Sequence, residues 1–116
     1  MLQRILFAHL DPEVEAELKK TLSHQSVAFE LERTQDQPES LIDWRSYDVV
    51  FCPPERAEVR SIIAASAGAP PKPAVIAATR IPRESEWVEV LEAGAKDYCA
   101  SPFEDNQIGM LLAACS

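Results

Sequence analysis

Residues 47–55, Tyr47 to Glu55, read YDVVFCPPE. Val49, Val50, Phe51 and Cys52 are β-branched, aromatic or small and apolar, the content of a central strand buried on both faces. Arg45 and Ser46 favour a turn ahead of it. Pro53 and Pro54 stop it, because neither ring carries the N–H that a strand ladder needs. Such a strand requires a neighbour on each side and a covering layer on each face. The rest of the chain supplies both.

Upstream, Arg4 to Leu10 (RILFAHL) is another nearly continuous apolar run, read as a buried parallel strand. Asp11 can cap a helix and Pro12 suits its first position. Val14, Leu18 and Leu22 then recur at i, i+4 and i+8, which predicts an amphipathic helix over 12–24. Val27, Phe29 and Leu31 alternate with Ala28, Glu30 and Glu32, the period of a strand with one wetter face at a sheet edge. Pro38 to Arg45 predicts a short second helix with Leu41, Ile42 and Trp44 turned inward.

Downstream, Glu55 to Ala67 carries Val59, Ile62 and Ile63 on one helical face, and Gly68 stands at the usual place of a C-terminal cap. GAPPKP is a loop, AVIAAT (Ala74 to Thr79) a fourth strand, and Glu84 to Ala93 a fourth helix stopped by Gly94. Lys96 to Ala100 is a fifth strand; Ser101-Pro102 leads into a fifth helix with Ile108, Leu111 and Leu112. Five strand–helix repeats with short loops imply an α/β sandwich, a parallel sheet covered by helices on both faces. The flavodoxin-like (βα)5 order 2-1-3-4-5 is the leading arrangement, with a functional crevice at the carboxyl ends of the strands. That crevice would be built from His9 to Asp11, Cys52 to Pro54, Thr79-Arg80 and Ala100 to Pro102.

With 116 residues the chain, residues 1–116, is one domain. Its 47% hydrophobic and 26% charged composition is that of a globular protein, and no apolar run is long enough to cross a bilayer. The N-terminus lacks signal-peptide features, so a cytoplasmic location is expected. A net charge of −8 excludes grip on a nucleic-acid backbone by this domain. Cys52, Cys99 and Cys115 are widely spaced, without a C-x-x-C pair, and read as small buried hydrophobes.

The stretch LEAGAKDYCASPFE, Leu91 to Glu104, resembles the pattern L-E-A-G-A-x-D-Y-x-x-K-P-F of response-regulator receiver domains, the CheY-like domains of two-component signalling. ILFAHLDPE, SYDVVFCPP and AVIAATR are similar to that family's first, third and fourth strands. The resemblance implies phosphoryl transfer to one Asp, supported by acidic Mg²⁺ ligands, a Lys and a mobile Ser or Thr hydroxyl. This chain departs from the pattern at nearly every chemical position. Pro53 falls at the acceptor Asp, His9 and Leu10 at the acidic pair with Asp11 adjacent, and Ser101, followed by Pro102, at the Lys. Thr79 keeps the switch hydroxyl, and Tyr98 matches the aromatic that moves with it.

The expected function is therefore an atypical, degenerate receiver in two-component or phosphorelay signal transduction, acting without phosphorylation. It would serve as an interaction or dimerisation module for a transcriptional or other effector outside this chain. Neither catalysis nor a cofactor is expected, no metal site is read, and Mg²⁺ binding is not expected. The face of the fourth helix, fifth strand and fifth helix is where the resemblance places effector contacts or a homodimer, with Trp87, Tyr98 and Ile108 as interface candidates. The alternative is a pseudo-receiver that senses a small molecule or redox state, through the crevice around His9, Leu10, Pro53 and Thr79 or through a Cys52 thiolate. Against it stand ordinary structural readings: Cys52 as core filler, His9 bonded to a loop, Thr79 as a turn cap.

Overall fold

The computed structural model describes residues 2–26, 28–34, 41–68 and 72–115. Val27 and the middle of the GAPPKP loop lie outside them. Strands β1 (Gln3–Phe7), β2 (Phe29–Arg33), β3 (Val49–Cys52), β4 (Ala74–Thr79) and β5 (Asp97–Ala100) form one sheet in the order β2-β1-β3-β4-β5. Every pairing is parallel. Four helices are present among the described residues: α1 (Pro12–Ser23), α2 (Arg56–Ser66), α3 (Glu84–Ala93) and α4 (Asp105–Ala114). This is the flavodoxin-like arrangement that the alternating pattern predicts.

Strand residues point alternately to two cores. Ile5, Phe7, Val49, Phe51 and Ile76 pack with Val14, Leu18 and Leu22 of α1 and Ile108, Leu111 and Leu112 of α4. Leu6, Val50, Cys52, Val75 and Ala77 face the other way, onto Val59 and Ile62 of α2, Val90 of α3 and Trp44. The Phe7 and Phe51 rings meet edge to face with centroids 5.8 Å apart. Such a pair adds about 0.5–1.5 kcal/mol to the burial of the rings themselves. Gln3 Nε2 donates to the carbonyl of Leu112 at 2.7 Å, fixing α4 to β1 through a buried bond.

Local chemistry sets the helix ends. Asp11 accepts from the backbone N–H of Glu13 at 2.9 Å, and Pro12 opens α1. Gly94 closes α3 in the left-handed region at φ 115°, its N–H donating to the carbonyls of Val90 and Leu91. Gly68 plays no such part: Ala67 caps α2 in a right-handed conformation, and Gly94 is the glycine with positive φ.

The expected helix over 38–45 departs from prediction. Residues 38–40 lie outside the described residues, and beyond them the chain forms a 3-10 turn, Trp44–Ser46. Asp43 accepts from Ser46 Oγ at 2.8 Å, a local side-chain bond that closes a tight turn in competition with a helix. Trp44 is buried and Ile42 packs beside it, as expected, but Leu41 is 73% exposed. The sheet face along β1 and β2 carries a polar group instead. Arg4 pairs with Glu30 and Glu32 and lies over the Tyr47 ring, whose hydroxyl bonds Glu32. No helix among the described residues is long and apolar enough to cross a membrane.

The two glycines make a paired test. A Cβ at Gly94 would stand 3.4 Å from Ile63 on a backbone that L-residues resist, whereas at Gly68 nothing lies within 4 Å. Gly94→Ala should lower the unfolding free energy by about 1–2 kcal/mol, and Gly68→Ala should leave it unchanged or raise it by up to about 1 kcal/mol. Urea titration of both variants reads the difference.

Candidate functional site

The carboxyl ends of β1, β3 and β4 open on a cleft of about 370 Å³ lined by Asp11, Pro53, Pro54, Glu55, Thr79, Arg80, Ile81, Arg83 and Glu86, among others. The topology dictates this place: strand order reverses between β1 and β3, so the loops beyond them diverge. Pro53 and Pro54 form its floor at the end of β3 and are half-buried. Neither has a nucleophile or an N–H to offer a bound group.

Of the expected crevice residues, Asp11, Pro53, Pro54, Thr79 and Arg80 meet in this cleft; His9, Leu10, Cys52 and Ala100 to Pro102 do not line it, and Ser101 and Pro102 line a separate hollow with Glu17. His9 adopts φ 59°, which ends β1 and turns the chain away, with its N–H donating to Thr34 Oγ1 at 3.0 Å. Its imidazole is exposed and Leu10 is buried in the α1–α4 core. Asp11 is occupied as the cap of α1.

Thr79 Oγ1 accepts from the N–H of Ile81 at 3.3 Å and lies 3.4 Å from its carbonyl, the bonding of a turn cap. The Tyr98 hydroxyl accepts from the N–H of Arg83 at 3.3 Å and reaches Glu86 at 3.5 Å. It is therefore tied to the start of α3, and burial raises its phenol above the ordinary value. At the position of the family's Lys, Ser101 donates to the Glu17 carboxylate of α1. Its bond to Pro102 is cis. Lys96 is directed elsewhere, its Nζ bonding the carbonyl of Ala114 at 2.7 Å.

An ion pair between Arg80, just after β4, and Glu13, in the first turn of α1, ties that loop to the helix beside the cleft. Spacing along the chain gave no sign of it, although Arg80 follows β4 directly and α1 begins at the same rim of the sheet. Arg80 is thereby engaged by a carboxylate of the chain itself. Cys52 is fully buried, and desolvation, then the charge of Glu58, pushes its thiol up to about 12. Burial, then Asp97 and Cys52, does the same to Cys99, up to about 12. Cys52 is core filler rather than a poised thiolate.

Ile108 does not lie at the surface as an interface residue would. It is 0% exposed in the core, because Ile108, Leu111 and Leu112 share one helical face and that face covers the sheet. Trp87 is 49% exposed on α3, and Tyr98 is half-buried beside it.

No family model matches the sequence, and no curated protein matches it. Solved structures with this fold are numerous. A CheY-like protein, tadZ, from Pseudomonas aeruginosa PAO1 is 16% identical, covers 98% of this chain and 99% of its own, and superposes with a TM-score of 0.72. An orphan response regulator of H. pylori is 22% identical over 97% of this chain and 95% of its own, with a TM-score of 0.68. An atypical orphan response regulator described as having a phosphorylation-independent regulatory mechanism is 21% identical over 97% and 94%, also with a TM-score of 0.68. The fold is that of CheY-like receiver domains.

The thiols give a measurable signature. In the folded protein, Cys52 and Cys99 should resist an aromatic disulfide reagent while half-buried Cys115 reacts first. The raised folded-state values also set a sign. Below the unfolded value of 9.0 both states keep the proton; from 9.0 toward 12 the unfolded chain loses it first, so stability falls. A smaller alkaline loss in Cys52→Ala, measured by chemical denaturation, checks the assignment.

Proposed function

We propose that this chain is a degenerate receiver that signals through protein contacts and takes no phosphoryl group. One observation carries the reading: Pro53 occupies the end of β3 on the floor of the cleft, where acyl-phosphate chemistry needs a carboxylate. The neighbouring groups are committed to structure. Asp11 caps α1, Glu13 holds Arg80, and Ser101 holds Glu17. Of the two arginines lining the cleft, Arg80 is already paired with Glu13, which leaves Arg83 as the cation open to an arriving anion there.

Thr79 and Tyr98 are bonded to different partners, Ile81 and the Arg83–Glu86 turn. In the proposed mode they hold the β4–α3 loop in one conformation that presents α3 and the edge strand β5 continuously. The phosphorylation-independent mechanism of the atypical orphan regulator with the same fold supports this reading. A redox-sensing version working through Cys52 is disfavoured, since that thiol is buried and pushed up to about 12. The output would come from an effector on a partner or an attached segment.

Incubation with acetyl phosphate and Mg²⁺, followed by intact-mass measurement, tests the proposal. The mass should remain that of the untreated chain. A stoichiometric adduct that is stable to acid and labile to base would overturn it.

A further inference from the structure

The outward face of α3 does not resemble the outer face of an ordinary surface helix. Trp87 and Val88 are each 49% exposed and Leu91 is 37% exposed, and all three stand outside both cores. Trp87 and Leu91 are one turn apart and Val88 lies three residues before Leu91, so the side chains form one contiguous stripe. Ile81, 68% exposed, lies just ahead of the helix in sequence. Beside Trp87 a shallow hollow of about 380 Å³ runs toward Pro82, Tyr98 and the β5 edge.

The charge bordering this stripe is predominantly negative. Glu84, Glu89 and Glu92 are exposed on the same helix and take part in none of the ion pairs among the described residues. Asp97 lines the hollow on the β5 side, with Arg83 the one cation lining it. A two-fold contact between copies sets a patch against itself, so a homodimer through this face would bring the glutamates of two α3 helices together. Each copy also carries a net charge of −8. Like charges brought into one interface oppose association.

We propose that the Trp87–Val88–Leu91 stripe docks a basic amphipathic helix of another protein, and not a second copy of this chain. The aliphatic residues of that helix would cover the stripe and fill the hollow beside Trp87, while its Lys and Arg side chains meet Glu84, Glu89 and Glu92. The inference rests on the reading of the domain as an interaction module and narrows its partner to one chemistry.

The test uses a short synthetic amphipathic helix of leucine and lysine, its leucine–glutamate counterpart, and tryptophan emission. The lysine peptide should bind and shift Trp87 emission to the blue, since Trp44 is already buried, and added salt should weaken it; the glutamate peptide should not bind. Val88→Asp, and separately the double variant Glu89→Lys with Glu92→Lys, should weaken binding at least about tenfold. Glu104→Lys, at the start of the helix that covers the opposite sheet face, should leave it unchanged. Equal weakening by Glu104→Lys, or no binding of the lysine peptide, overturns the proposal. Sedimentation showing self-association that Val88→Asp abolishes would make a second copy the occupant. That outcome sinks this inference and leaves the interaction-module reading standing; a phosphoryl adduct would sink the reading itself.

Discussion

Burial of both faces of β3 is the constraint on which the rest of the structure depends. Val49 and Phe51 face the α1–α4 core, Val50 and Cys52 face the α2–α3 core, and all four are 0% exposed. A slip of one residue would exchange the two sets and leave an aromatic ring where a thiol fits. β3 is thereby locked between β1 and β4, and Pro53 is delivered to the cleft floor without latitude. The same lock explains why the cleft is built from loops: only beyond the last paired residue of each strand is backbone free to take other partners.

Much of this was legible because its causes are local. Glu84 to Ala93 with Gly94 was readable to the residue, since a left-handed glycine cap is written in one position. The start of α1 was readable from Asp11-Pro12 for the same reason. Elements decided by competition were not. The 3-10 turn at Trp44–Ser46 depends on an Asp43–Ser46 bond that helix periodicity does not register. Strand β1 stops short of the apolar run because His9 turns into the left-handed region, a backbone choice that apolar content does not encode.

The candidate site divides in the same way. Pro53 and Thr79 reached the cleft because they directly terminate strands, where sheet order alone fixes position. The Arg80–Glu13 pair depends on a loop side chain reaching the first turn of α1, so spacing along the chain gave no sign of it. Ile108 shows a conflict between two readings of one residue. Its i, i+3, i+4 spacing with Leu111 and Leu112 is that of a helix's core-facing side, whereas the family analogy placed it at an interface; burial agrees with the spacing.

The last turn of α4 is fastened at two places. Gln3 of β1 holds the carbonyl of Leu112, and Lys96, just before β5, holds that of Ala114. Helix ends ordinarily fray because their final carbonyls bond only water. Here the carbonyls of Leu112 and Ala114 are tied to a central strand and to the approach of an edge strand. The end of α4 is therefore anchored by residues some distance away in sequence, and fraying of that last turn has to break contacts with the sheet as well as helix bonds.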